Sequence, residues 1–233
     1  MKRIFVPTRT GSDWQRLLTQ PRLHWKKGRS AMTTAASWES AADAFPPEVG
    51  LVLDSSRDPD LTDLKLLAAF PEWKVPLEGG DTASQADVLA LASNHRGLSV
   101  IAVEAKVDED FGPKLKAKRA EVSPGQNDRL SYLHSLLGVA ALDDSIRYQL
   151  LHRTASALLP AREFHAHVAV MLVHSFGSKD SLRSDFDAFC RALAAHSLPG
   201  GMWVVPSFKQ PRLFLAWCNG DKKFLDVELP SVV

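Results

Sequence analysis

Two periodicities divide this chain. Residues 98–107 are a near-continuous apolar run rich in β-branched types, and residues 85–92 form a second run joined to it through Asn94-His95-Arg96-Gly97. Short apolar runs bounded by a Gly-containing turn read as strands, so the pattern predicts a hairpin whose second strand is buried on both faces. Residues 165–175 alternate, with His167, Ala169, Met171 and Val173 on one face and Val168, Val170, Leu172 and His174 on the other. That period of two predicts another strand. A strand pair is predicted at 202–207 and 212–217, a short strand at 48–53, and a strand or arm at 1–7.

Helical spacing and end signals place helices elsewhere. Residues 12–18 read as a short helix capped at Ser12, with Pro21 beyond it. The alanine-rich stretch 30–44 is capped at Ser30 and stopped by Pro46-Pro47. Helices are also predicted at 61–70, ending before Pro71, at 127–137, at 145–159, stopped at Pro160, and at 181–196. The helix at 145–159 carries two stripes. Ile146, Leu150 or Leu151, Thr154 and Leu158 are its core-facing side, and Gln149, His152, Arg153 and Ser156 form a polar stripe. This order of elements predicts an α/β fold with a central mixed β-sheet flanked by helices.

At 233 residues the chain fits a single domain, 1–233, in which residues 1–80 are a helical elaboration packed on a core at 81–233. The formal net charge of +1 gives no global basic signal, so a nucleic-acid surface has to be a local patch. Cys190 and Cys218 lie far apart without ligand spacing and read as reduced thiols of a cytoplasmic protein. No window is long and apolar enough to span a membrane, and no membrane partner is expected. The chain lacks a Walker loop, a dinucleotide glycine fingerprint and a Gly-x-Ser-x-Gly elbow. His165 and His167 share a strand face, but no nearby Cys or carboxylate completes a zinc set.

The chemistry concentrates where charge breaks the second strand of the hairpin. Glu104 and Lys106 are two apart and therefore point to the same face, and Asp87 on the preceding strand supplies a second carboxylate. Buried charge is costly unless it is paired or holds a metal. One reading makes Glu104 and Asp87 metal ligands; the other makes Glu104 and Lys106 a salt bridge at a sheet end. Two basic clusters have the same double reading of solvated loop or phosphate contact: Lys26 and Lys27 beside Trp25, and Lys114, Lys116, Lys118 and Arg119 after the hairpin.

Asp87 followed by Glu104-Ala105-Lys106 at the end of an apolar strand resembles the motif of the PD-(D/E)xK, or restriction endonuclease-like, nuclease superfamily. The resemblance implies a nuclease-like core in a mixed sheet flanked by helices. It implies Mg²⁺, with Mn²⁺ as an alternative, on Asp87 and Glu104, and catalysis by Asp87, Glu104 and Lys106, the lysine orienting the attacking water. A supporting glutamate from a helix before the hairpin falls to Glu39 or Glu48, and a helical glutamine to Gln149 with Arg153 beside it. Ala86 stands where the family pattern has proline. Val103-Glu104-Ala105-Lys106-Val107-Asp108 and Gln149-Leu150-Leu151-His152-Arg153-Thr154 also resemble runs of an uncharacterised bacterial branch. The expected function is Mg²⁺-dependent hydrolysis of DNA phosphodiesters by an endo- or exodeoxyribonuclease. The alternative is a catalytically inactive nuclease-fold module that binds nucleic acid or protein. DNA is the expected partner of the active form, with a homodimer left open.

Overall fold

The computed structural model describes residues 8–120 and 124–233. The strand or arm expected at 1–7 lies outside the described residues. Helices α1 (Pro21–His24), α2 (Ser30–Ala41) and α3 (Pro47–Ser55) follow a 3-10 turn at Gly11–Leu17. Strands β1 (Lys65–Val75), β2 (Ser84–Asn94) and β3 (Gly97–Lys106) come next, then α4 (Leu115–Ala120), α5 (Pro124–Leu137) and α6 (Tyr148–Glu163). The chain ends with β4 (Val168–Ser175), α7 (Asp180–Ala192), β5 (His196–Leu198), β6 (Met202–Val205) and β7 (Arg212–Asn219).

The seven strands form one mixed sheet in the order β1-β2-β3-β4-β7-β6-β5. Pairing is antiparallel from β1 to β3, parallel across β3-β4-β7, and antiparallel again through β6 to β5. Helices cover both faces, giving the α/β mixed-sheet architecture that the pattern predicts. One core joins the sheet to α4–α7, and the other joins it to the N-terminal helices. β3 shows why. Val100 and Ala102 enter the first core, while Ile101 and Val103 enter the second. Val100, Ile101 and Val103, fully buried, each contribute roughly 1.5–3 kcal/mol. The β2–β3 turn needs glycine: Gly97 has φ 136°, and a Cβ there would come within 2.2 Å of the His167 ring.

Four local expectations are corrected. Residues 61–70 do not form a helix; 65–75 is strand β1, with Leu66, Ala69 and Val75 buried and Lys65, Leu67 and Lys74 exposed. Pro71 does not end this element, because an edge strand tolerates a residue without an N–H. Residues 48–53 are not a strand but part of α3, which starts with Pro47 and carries Glu48 in its first turn. Val49 and Leu53, one turn apart, are its buried positions. Pro160 does not stop α6, which continues to Glu163 with Ala161 buried in the core; near a helix end the missing N–H costs only one bond. Residues 1–80 are not only a helical elaboration, since they also supply β1 to the sheet. Among the described residues no helix is long and apolar enough to cross a membrane.

Candidate functional site

The β2–β3 ladder runs from Asn94↔Gly97 to Val88↔Val103 and stops. On either side pairing continues, to Val75↔Ser84 between β1 and β2 and to Lys106↔Ser175 between β3 and β4. The sheet therefore opens between its second and third strands. At the opening the Ala105 N–H, without a ladder partner on β2, donates to Asp87 Oδ2 at 2.6 Å. A cleft of about 300 Å³ lies there, lined by Glu72, Asp87, Glu104, Lys106, Gln149 and Arg153, with Thr19 and Ser30 on the N-terminal side. The hairpin and the convergence of Asp87, Glu104 and Lys106 follow the sequence pattern.

Glu104 is 3 % exposed and held on both oxygens. Lys106 Nζ lies 2.6 Å from Oε1, Gln149 Nε2 donates to the same oxygen at 2.7 Å, and the Arg153 guanidinium engages Oε2. The polar stripe of α6 thus turns toward the end of β3. Arg153 also donates to Ser84 Oγ at 2.8 Å, and Ser84 meets His152 Nδ1 at 2.9 Å and Ser156 Oγ at 2.8 Å. Burial alone would raise the Glu104 pKa, but Arg153 and Lys106 outweigh it and hold the carboxyl near 2. Asp87 goes the other way: burial and then the Glu104 charge push it up to about 7. Burial and the neighbouring Arg153 keep the His152 imidazole well below its ordinary value, and so neutral.

Glu72 is the residue that sequence reasoning missed. It lies on β1 between the pairs Pro71↔Val88 and Trp73↔Ala86, hence across from Asp87. Its φ of 53° is in the left-handed region, uncommon for a residue with a side chain and often found at functional sites. Gln85 Nε2 donates to its Oε2 at 2.8 Å, while Gln85 itself is tied to Leu17 O and Thr19. Burial and then the Asp87 charge hold the Glu72 carboxyl well above its ordinary range. The run 65–75, broken by Pro71, carries no alternation that would signal this placement, which the β1–β2 register sets.

The cleft gathers three carboxylates, with His24 at its N-terminal side, and Gln149 Oε1 is buried with no hydrogen-bond partner among the described residues. Among the described residues no three His, Cys, Asp or Glu side chains form a ready-made metal cage. Mg²⁺ does not require one, since it binds through one or two carboxylates and keeps its waters. The residues present therefore suit Mg²⁺ by donor type, with Asp87 and Glu104 as the two carboxylates.

The other expected site residues lie elsewhere. Glu39 accepts from Trp14 Nε1 at 2.8 Å and from Thr8 Oγ1 at 3.2 Å within the N-terminal layer, so it does not support the cleft. Glu48, at the start of α3, accepts from His174 Nε2 at 3.1 Å and from the Asp221 N–H at 3.3 Å, and it too is absent from the cleft. Lys26 and Lys27 line a separate groove with Glu228 and Pro230, and Lys27 approaches Asp226 at 3.7 Å. Arg119 is engaged by Asp144 and donates to Leu142 O at 2.8 Å. Lys114 and Lys116 are exposed. Lys118 lines a second cavity next to the cleft.

One wall of that second cavity is the loop before β2, braced by Arg129 of α5. The buried guanidinium donates to Glu78 O, Thr82 O, Leu77 O and Gly80 O at 2.7, 2.8, 3.1 and 2.7 Å. Gly79, at φ 81°, has no room for a Cβ, which would sit 2.2 Å from the Arg129 backbone nitrogen. Arg129→Met should destabilise the protein by about 2–4 kcal/mol, since four carbonyls lose charge-assisted bonds. Hydrogen exchange should show the loss concentrated in residues 77–82; protection unchanged there would contradict the bracing role.

A family model described as Domain of unknown function (DUF6946) matches residues 7–222, and the chain belongs to that family. No curated protein and no solved structure matches it.

Proposed function

We propose that this member of the DUF6946 family is a Mg²⁺-dependent nuclease that hydrolyses DNA phosphodiesters at the cleft between β2 and β3. The observation that carries the reading is the convergence of Asp87 and Glu104, with Lys106 on Glu104, where the two strands part. Three further features support it. Asp87, whose carboxyl burial and the Glu104 charge push up to about 7, is a carboxylate that a cation would favour. Glu72, Asp87 and Glu104 bring three carboxylates to one cleft. The motif resembles that of the PD-(D/E)xK nucleases, whose core is a mixed sheet between helices, and this chain has that kind of sheet.

Asp87 and Glu104 would hold the cation, which when bound supplies charge stabilisation at the phosphoryl group. Lys106 offsets negative charge that develops on the phosphate oxygens. Arg153 fixes the Glu104 carboxylate against rotation, and Gln149 Nε2 steadies its other oxygen. Glu72 takes the supporting place that the resemblance gave to Glu39 or Glu48.

One observation favours a second reading, an inactive nuclease-fold module that binds nucleic acid or protein. Both oxygens of Glu104 are already satisfied from within the chain. Incubation of supercoiled plasmid and single-stranded DNA with Mg²⁺, Mn²⁺ or EDTA separates the two. Cleavage that needs the ion and disappears in Lys106→Ala supports the nuclease; intact DNA under every condition leaves the binding module.

A further inference from the structure

The second cavity shares a wall with the cleft. It encloses about 490 Å³ between the braced loop before β2, the start of α5 and the first turns of α6. That volume lies within the ~300–1,000 Å³ range of small-ligand sites. Gln85 and Arg153 line both spaces, so a polymer leaving one enters the other without a detour.

Its charge and surface narrow the ligand. Among the described residues that line the cavity, the charged ones are Lys118, Arg129, Arg153, which also engages Glu104, and Asp81. The Arg129 guanidinium donates to four backbone carbonyls, which satisfy its N–H groups without cancelling its charge. Buried charge in such a wall keeps its field in the cavity and favours an anion. The aromatic wall is Tyr148 with neutral His152, their rings 5.1 Å apart, and Lys118 Nζ lies 5.5 Å from the Tyr148 ring. Cation beside flat ring is how single strands are held: phosphate on the charge, base on the ring. The loop is fixed before any ligand arrives, because Arg129 and the crowded Gly79 leave it no slack.

We propose that this cavity seats one unstacked nucleotide of the DNA strand, making single-stranded or frayed DNA the substrate class. The proposal rests on the nuclease reading for what happens next door, but not for the binding itself. A paired base inside a duplex cannot enter such a pocket without leaving its stack.

The test is fluorescence anisotropy in EDTA, where no cleavage occurs, with a labelled ten-residue oligothymidylate and a blunt duplex of equal length. The parent protein should bind the single strand at least about tenfold more tightly than the duplex. Tyr148→Ala should weaken single-strand binding by about tenfold or more. Lys118→Ala should weaken it several-fold and lower the salt dependence by about one ion. Lys222→Ala, exposed and outside the cavity, should change nothing. If Tyr148→Ala does not fold, Lys118→Ala carries the test. This pattern without any Mg²⁺-dependent cleavage upholds the pocket and removes the nuclease. Equal affinity for duplex, no binding of the single strand, or unaltered binding by Lys118→Ala overturns the pocket, whatever the protein cleaves.

Discussion

Asp87→Asn should abolish DNA cleavage and at the same time make the metal-free protein more stable at pH 8. The two effects share one cause. Burial and the Glu104 charge raise the Asp87 pKa from 3.8 to about 7, so the folded protein holds a proton there that the unfolded chain has released. Between about pH 4 and pH 7 the folded state binds more protons than the unfolded one, and its stability falls as pH rises through that window. Glu104 has the opposite linkage. Its pKa is lowered from 4.5 to about 2, so its contribution is fully present above the unfolded value and is lost as pH falls toward 2. The pair alone puts the stability maximum of the metal-free protein near pH 4–5. An asparagine keeps an acceptor for the Ala105 N–H and removes the charge. The gain at pH 8 in EDTA should be on the order of 4 kcal/mol, at about 1.4 kcal/mol per pKa unit. Mg²⁺ should raise the melting temperature of the parent at pH 8, because it binds the folded state alone, and should do so much less in Asp87→Asn. Cleavage should drop by about a hundredfold or more. Thermal unfolding from pH 4 to 8, with and without the ion, checks all of this. A lower melting temperature for Asp87→Asn at pH 8 in EDTA would make Asp87 a stabilising ion-pair partner rather than a repelled ligand.

The sequence made the centre of the sheet legible because local and tertiary demands agree there. β3 is apolar on both faces, and only a strand between two helical layers uses such a run. Charge at its end then had to be paired, and the polar stripe of α6 showed where partners could come from. The errors arose where the two demands part. Residues 65–75 carry a proline and an irregular burial pattern that alternation alone does not describe, and only their place at the sheet edge reconciles Pro71 with a strand. Losing β1 meant losing Glu72, whose place beside Asp87 depends on register and on a left-handed backbone, both tertiary facts. Glu39 lies toward the far end of α2, whose first residue Ser30 does line the cleft, and Glu48 opens α3, away from it. Spacing within a helix fixes which side a residue is on, but not which end of the sheet the helix covers. The basic run at 114–119 was divided in the same way: α4 turns Lys118 into a cavity and ties Arg119 to Asp144.

Arg153→Met should have an effect opposite in sign to that of Asp87→Asn in the same cleft. Arg153 engages Glu104 and Ser84 with one planar fork, and Lys106 reaches only Oε1 of the same carboxylate. Removing the guanidinium leaves a buried carboxylate half-compensated and takes one of two donors from Ser84, which keeps Ser156. Breaking one side of a buried ion pair costs about 3–5 kcal/mol, and this loss should appear across pH 5–8, where Glu104 is ionised. Arg153→Lys should recover little, because a point charge cannot bridge both partners. Glu104→Gln combined with Arg153→Met should recover most of the loss, since neither charge is then left alone, and a double-mutant cycle reads the coupling directly. The same variant separates the two functional readings. If Glu104 is a cation ligand that Arg153 occupies in the ion's absence, Arg153→Met frees it, and Mg²⁺ should stabilise this variant more than it stabilises the parent. If the cluster is only an internal ion-pair network, Mg²⁺ should leave both melting temperatures where EDTA puts them.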